Sequence, residues 1–198
     1  MRRTVTSIAA LGIGLGILAP LSSGALIVSN VQVSGSLSAG VSTMVGTDTI
    51  DIVFGGGGAT VGDSTNPIRG GNLIITFDVD STSGNLTQDI ASITGSVSGS
   101  GFVVFNEIIE DRTPGNQGVI GSADLLLNGP NPNPATIMFS RGSSSIKVKK
   151  TLVFSASPSE LLDNATVTLL RQTIVPSPGS VALLGIGSMG LLGRRRRS

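Results

Sequence analysis

The sequence predicts an all-β fold, a single antiparallel β-sandwich of about ten strands, for which a jelly roll is one arrangement. Short β-branched apolar runs alternate with Gly, Asn, Ser and Pro turns through residues 26–174. This spacing is typical of sandwiches and barrels, and the body shows no sustained helical period. The exception is residues 157–162, where Ser, Pro and Glu at the start predict one helical turn. A body of about 150 residues is long enough to bury one core.

The predicted strands cover residues 26–33, 38–45, 49–54, 72–80, 91–98, 102–109, 122–127, 135–140, 145–155 and 165–174. Alternation is clearest in the fourth of them, where Leu73, Ile75 and Phe77 share one face. The sixth is apolar on both faces, which favours a central position in its sheet. Between the third and fourth strands, the Gly-rich stretch 55–72 shows no period and predicts a long loop.

The composition excludes several kinds of chemistry. The 198 residues include no Cys, His, Trp or Tyr. Without His and Cys the chain has no Ser-His-Asp triad, thiolate nucleophile, Cys- or His-based zinc site, or disulfide. Gly, Ser and Thr together supply 72 residues, and only 13% of the residues are charged. We therefore expect a weakly charged surface rich in hydroxyl groups, and no cofactor.

The charges of the body differ from those of the ends. Six of the 13 basic residues lie at the two ends of the chain. Between residues 25 and 175 there are seven basic and all 12 acidic residues, so this body carries a net charge of −5. A nucleic-acid-binding face needs clustered Lys and Arg to contact phosphates. The mildly acidic body therefore argues against nucleic acid as a partner.

The first 25 residues are predicted to be a secretory signal peptide. Arg2 and Arg3 form a positively charged start, and an apolar stretch follows at residues 8–18. Cleavage after Gly24 or Ala25 fits the small-residue requirement of signal peptidase. The apolar run is about half of the ~20 residues that a spanning helix needs, which favours cleavage over a permanent N-terminal anchor.

The last part of the sequence has three segments in order. A Pro-x-Pro motif comes first, an apolar stretch follows at residues 181–192, and an Arg cluster comes last. The motif consists of Val175, Pro176, Ser177 and Pro178. The cluster consists of Arg194, Arg195, Arg196 and Arg197. The apolar stretch is short for a spanning helix, and the Arg cluster favours the cytoplasmic side. The pattern predicts a hydrophobic helix that holds the chain at the inner membrane while the Pro-x-Pro motif is processed. The alternative is a permanent C-terminal anchor.

This tail resembles the PEP-CTERM sorting signal of Gram-negative bacteria, which is also catalogued as the C-terminal domain of an ice-binding protein. The family pattern is Val-Pro-Glu-Pro, a Gly- and Leu-rich helix and an Arg cluster, and Ser177 stands where the family usually has Glu. The resemblance covers residues 175–198. It implies recognition by an exosortase, a membrane Cys peptidase that removes the tail during export. The implied location is the inner membrane transiently, and then the cell envelope, the cell surface or the medium.

Acidic residues offer a weak calcium candidate. With Asp78 as the first ligand, Asp80 and Asp89 fall at the third and twelfth positions of a calcium loop. However, Ser83 occupies the position that requires Gly, and no helices are predicted on either side. We interpret this segment as a solvated strand end followed by a turn, so no metal site is assigned.

The other charged residues are predicted to lie on strand edges, where charge blocks pairing between sheets. One group is Glu107, Glu110 and Asp111, and the second is Lys147, Lys149 and Lys150. These residue types would still permit a two-carboxylate glycosidase or a Ser-Lys dyad. The absence of Trp and Tyr to hold a sugar, and of a helical Ser-x-x-Lys, argues against both. No catalytic residue is assigned, and we expect that the protein is not an enzyme.

These observations predict a signal peptide at 1–25, a β-sandwich at 26–174 and a sorting signal at 175–198. The expected function is that of a secreted or surface-attached, non-enzymatic protein of the bacterial envelope or extracellular matrix. The expected partners are the export translocon, signal peptidase, an exosortase and the inner membrane, with extracellular polysaccharide as a further candidate. The alternative function is a surface module that binds carbohydrate, calcium or ice. For ice, the Thr-x-Thr pairs at 47–49 and 166–168 are too few for a regular face.

Overall fold

The computed structural model describes residues 26–62, 68–82, 84–156 and 163–177. Eleven β-strands and one short 3-10 segment, Gly55–Gly57, form this part of the chain. The strands are β1 (Leu26–Ser34), β2 (Val41–Val45), β3 (Thr49–Phe54), β4 (Ala59–Val61), β5 (Gly70–Ser81), β6 (Leu86–Ser98), β7 (Phe102–Asp111), β8 (Gly118–Leu127), β9 (Ala135–Ser143), β10 (Ser145–Ser155) and β11 (Asn164–Pro176).

The strands form two antiparallel sheets, which confirms the predicted all-β class. Sheet A has the order β1-β5-β10-β7-β8, and sheet B has the order β2-β3-β11-β6-β9, with β4 paired alongside β11. From β5 onward the chain crosses between the sheets at every connection except β7–β8. This connectivity is that of a jelly roll.

The core lies between the inward faces of the two sheets. Leu73, Ile75 and Phe77 of β5 are buried on the sheet A side, where the alternation of the sequence predicted an apolar face. Ile50 and Ile52 of β3 are buried opposite them on the sheet B side. All of them belong to one hydrophobic cluster. Each fully buried side chain of this size contributes roughly 1.5–3 kcal/mol relative to leaving it in water.

One strand was not expected from the sequence. β4 lies within the Gly-rich stretch 55–72 and pairs with Ala165 to Val167 of β11. Gly58, just before β4, has a φ of +119°, and a Cβ atom there would lie 2.7 Å from the carbonyl oxygen of Val167. Gly58 therefore allows β4 to lie close to β11. Three residues are too few to show the alternation that predicts a strand.

The edge-strand prediction is wrong for both charged groups. β10, with the three Lys residues, lies between β5 and β7, and β7 lies between β10 and β8. The central position that the apolar character of β7 predicted is confirmed. Three of these charged side chains are buried, Glu107 and Asp111 on β7 and Lys150 on β10, as described below.

Several predictions fall outside the described residues. These are the signal peptide at 1–25, the helical turn at 157–162, and the part of the sorting signal from Pro178 onward. Within the four described ranges, no helix has the length and apolar character needed to cross a membrane.

Candidate functional site

The structure separates the three calcium candidates. Asp78 and Asp80 lie on β5 in sheet A, whereas Asp89 lies on β6 in sheet B. The Asp78 carboxylate accepts a hydrogen bond of 2.6 Å from Asn30 Nδ2 and pairs with Arg112 Nη1 at 3.3 Å. Among the described residues, no group of three or more acidic, His or Cys side chains is arranged to hold a metal ion.

Asp89 belongs to a polar cluster that the sequence analysis did not assemble. Four polar side chains meet between the sheets, and they are here called the core polar cluster: Asp89, Glu107, Lys150 and Gln172. Glu107 and Lys150 are opposite each other on β7 and β10 of sheet A. Asp89 and Gln172 come from β6 and β11 of sheet B. The exposed fraction is 0% for three of these residues and 1% for Lys150, so the cluster is sealed from solvent.

Two hydrogen bonds pair the four side chains, one on each side of the core. Lys150 Nζ donates to Glu107 Oε1 at 2.7 Å. On the sheet B side, Gln172 Nε2 donates to Asp89 Oδ2 at 2.9 Å. The Asp89 and Glu107 carboxyl groups lie within reach of each other between the two halves, and a hydrogen bond can join them when one of them carries a proton. The ring of Phe105 lies beside the amine, with its centroid 5.3 Å from Nζ.

The surroundings of Asp89 favour the protonated form of its carboxyl group. Burial raises the pKa of the Asp89 carboxyl well above its ordinary value, and the negative charge of Glu107 raises this pKa further. With both groups ionised, Asp89 Oδ1 and Glu107 Oε2 would be buried without a hydrogen-bond partner. One proton on Asp89, donated to Glu107, satisfies both oxygens. In that arrangement, a neutral Asp89 carboxyl group lies beside the Lys150–Glu107 ion pair.

Asp111, the last residue of β7, is also buried rather than at a charged edge. Its carboxylate accepts hydrogen bonds from Ser143 Oγ at 2.6 Å, Arg141 Nε at 2.9 Å and the Thr113 backbone N–H at 2.9 Å. Burial acts to raise the pKa of Asp111, but these hydrogen bonds together hold the pKa well below its ordinary value. These hydrogen bonds connect the end of β7 to β9.

The outer face of sheet B carries many hydroxyl groups and one ion pair. Arg171 of β11 donates two hydrogen bonds of 2.7 Å, from Nε and Nη2, to the carboxylate of Asp51 on β3. The hydrogen bond from Arg171 lowers the pKa of Asp51. The surrounding hydroxyl groups come from the five strands of the sheet and from β4. This surface is here called the hydroxyl face. Its hydroxyl groups belong to Ser42, Thr49, Thr60, Ser92, Thr94, Ser96, Thr136, Thr166 and Thr173.

The start of the sorting motif is part of the sandwich. Val175 and Pro176 end β11 and pair with Gln88 and Leu86 of β6. The backbone N–H of Ser177 then donates to the carbonyl oxygen of Asn85 at 2.6 Å. Pro178 and the Arg cluster lie outside the described residues. The folded body therefore extends to the motif itself.

Comparison with known proteins gives only distant likenesses. No protein-family model matches the sequence, and no similar sequence is found among curated proteins. Similar solved structures include TmCBM61, determined in complex with β-1,4-galactotriose, with 10% identity, a TM-score of 0.38, and coverage of 75% of this chain and 90% of that one. A CBM36-1 domain of a multidomain xylanase from the hindgut metagenome of Trinervitermes trinervoides has 15% identity, a TM-score of 0.28, and coverage of 75% and 98%. A family two carbohydrate esterase from Cellvibrio japonicus has 14% identity, a TM-score of 0.26, and coverage of 77% and 36%.

Proposed function

We propose that the protein is an exported, surface-directed β-sandwich of the bacterial envelope or extracellular matrix, and that it is not an enzyme. The observation that supports the second part is the burial of the acidic and basic side chains that the fold brings together in the core polar cluster. Asp89, Glu107 and Lys150 have exposed fractions of 0%, 0% and 1%. A substrate cannot reach such groups without separating the sheets. Asp111 is also buried, with both carboxylate oxygens hydrogen-bonded.

Support for export comes from the two ends of the sequence. Arg2 and Arg3 before an apolar stretch are typical of a signal peptide. A Pro-x-Pro motif, an apolar stretch and four Arg residues are typical of a retention and processing signal. On this proposal, the processing enzyme acts where β11 leaves the sandwich, and the released body carries almost no flexible tail.

Fractionation of the producing cells tests this proposal. An antibody against the body should detect the protein in the envelope fraction and the medium. Replacement of Arg194 to Arg197 by Gln should release the helix from its expected orientation and reduce the surface-attached share. Detection only in the cytoplasm, with the signal peptide intact, would contradict the proposal.

A second candidate function is binding of a neutral polysaccharide on the hydroxyl face. The Arg171–Asp51 pair offers planar donors and acceptors at the centre of this surface, with hydroxyl groups on both sides. Sugar hydroxyl groups both donate and accept hydrogen bonds, so they match such a surface. Because the body has a net charge of −5, a neutral chain is favoured over an acidic one.

A glycan array, run with and without calcium, tests this second candidate. Retention of a neutral glycan that does not depend on calcium is the expected result, because the described residues hold no group of metal ligands. If no neutral glycan is retained, the hydroxyl face is not a carbohydrate site.

A further inference from the structure

The core polar cluster places an amine and a carboxylic acid against the same acid–base group. Glu107 Oε1 accepts a hydrogen bond from Lys150 Nζ at 2.7 Å. The second oxygen of that carboxylate, Oε2, and Asp89 Oδ1 of the opposite sheet are both buried without a hydrogen-bond partner, and a proton shared between the two carboxyl groups would satisfy both. Condensation to an amide joins an amine to a carboxylic acid, and a carboxylate beside both of them can transfer the protons.

We propose that Lys150 and Asp89 form an intramolecular isopeptide bond between Nζ and Cγ, with Glu107 as the catalytic acid–base residue. The bond would join β10 of sheet A to β6 of sheet B through the middle of the core. This proposal concerns the core alone and does not depend on the proposed function.

The environment suits the nucleophile. An amine attacks only after losing its proton, and the Glu107 carboxylate in contact with Nζ can accept that proton. Phe105 beside the amine and the apolar residues around it exclude bulk water. Proton transfer from Lys150 to Glu107 replaces two buried charges by two neutral groups, which a low-dielectric interior favours.

The environment also suits the electrophile. A carboxylic acid can lose its hydroxyl group, whereas a carboxylate resists nucleophilic attack. Burial raises the pKa of Asp89 and so favours its protonated form. Gln172 Nε2 donates to Oδ2 and so marks Oδ2 as the carbonyl oxygen, on which negative charge develops during attack. Oδ1 is then the hydroxyl oxygen, and Glu107 is placed to protonate it as it leaves.

The reaction balances without any other reagent. The Lys150 ammonium gives one proton to Glu107, and the neutral amine attacks Asp89 Cγ to form a C–N bond and a tetrahedral intermediate. A second proton passes from nitrogen through Glu107 to Oδ1, the C–Oδ1 bond breaks, and one water molecule leaves. The products are a secondary amide, water and a protonated Glu107. No oxidation or reduction occurs.

The alternative is that these residues form only a buried ion pair with a neutral carboxyl group beside it. Such pairs contribute little net stability because desolvation offsets their attraction. The two possibilities differ in covalent structure, and a denatured sample therefore distinguishes them.

The test is tryptic peptide mapping of the full-length purified chain after denaturation. Free Lys150 is a cleavage site, whereas an amide at Nζ blocks it. The expected product is residues 70–112 joined to residues 150–171, with a mass one water below the sum of the two peptides. The bond is excluded if Lys150 is cleaved in all of the folded protein, or if the water loss maps to another pair of residues.

Three variants separate the chemistry from the fold. Glu107→Gln keeps the shape of the side chain but removes the base, so the two peptides should stay separate in a protein whose circular dichroism remains that of a β-sandwich. Asp89→Asn should give the same cross-linked peptide with loss of ammonia instead of water. Lys149→Gln, a change at the exposed neighbouring residue, should leave the bond intact. Complete linkage in Glu107→Gln would overturn the role of Glu107.

Discussion

Lys150 and Glu107 face each other on neighbouring central strands, with Nζ 2.7 Å from Oε1 and almost no exposure of either side chain. An ion pair in such a setting leaves a buried charge behind when one partner is removed. The cost of removing one partner, rather than the net stability of the pair, is therefore the basis of the first prediction.

Lys150→Met should destabilise the fold strongly. In a chain without the amide, loss of the ammonium leaves Glu107 as an uncompensated buried carboxylate, at a cost of about 3–5 kcal/mol. In a chain with the amide, the same change removes the covalent link between the two sheets instead. Urea unfolding should show this decrease in the free energy of unfolding. Lys149→Met on the same strand is the matched control. Its side chain is exposed, so its effect should be within about 0.5 kcal/mol. Equal effects of the two changes would contradict the account of the core.

Asp111 should make stability depend on pH in the acid range. The pKa of Asp111 is lowered in the folded state, so its carboxylate stabilises the fold. This stability is fully present above the ordinary pKa of 3.8. It is lost as the pH falls from there through the folded-state pKa. Asp111→Asn should cost about 1–3 kcal/mol at pH 7, because charged hydrogen bonds in a buried site are lost. The difference from the unmodified protein should shrink as the pH falls below 3.8.

Thermal unfolding from pH 7 to pH 2 measures this dependence. Glu110→Gln, at the exposed neighbouring position, is the control and should change the profile little. A difference between Asp111→Asn and the unmodified protein that stays constant with pH would count against the hydrogen-bonded carboxylate.

Gly95→Ala should be among the more damaging small substitutions. A Cβ atom at position 95 would lie 2.1 Å from the carbonyl oxygen of Thr166 on the paired strand, so the backbone must move apart at the sheet bulge. We expect a loss of more than about 2 kcal/mol in chemical denaturation. Gly129→Ala is the matched control, because a Cβ atom there meets nothing within 4 Å. If Gly95→Ala leaves the free energy of unfolding unchanged, β6 and β11 are not packed as described.

Arg171→Gln should separate binding from folding. The side chain is exposed and its ion pair with Asp51 lies in solvent, so the melting temperature should change little. If the hydroxyl face binds a neutral polysaccharide, retention on the glycan found in the array should fall at least tenfold. Lys149→Gln, on the outer face of sheet A, is the control and should bind normally. Equal retention by both variants would remove the hydroxyl face as the site.

The strand pattern was predictable because alternation with period two survives in a single sequence. Leu73, Ile75 and Phe77 were predicted on one face and are buried. β4 was missed because it has three residues in a Gly-rich stretch, where pairing with β11 decides the structure. The charged strands β7 and β10 were predicted at sheet edges but lie in the interior of sheet A. The order of strands in a sheet depends on long-range pairing, which the local pattern does not show.

The core polar cluster was missed for a different reason. Lys150 has the same parity as Val148 and Leu152, and Glu107 has the same parity as Phe105 and Ile109, so both fall on apolar faces. The charge of these side chains predicted an exposed position, whereas their place in the alternation indicates an inward one. That Asp89 of the other sheet meets them could not be read from the sequence, because packing between the sheets sets it.

Terminal-peptide mass spectrometry of the protein recovered from the envelope and medium of the producing cells tests export and sorting most directly. We predict a mature chain that begins near Leu26 and ends between Pro176 and Pro178. A chain that retains Arg2 and Arg3 at one end and Arg194 to Arg197 at the other would contradict both export and processing. A membrane-bound chain that has lost only its first residues would contradict the sorting step.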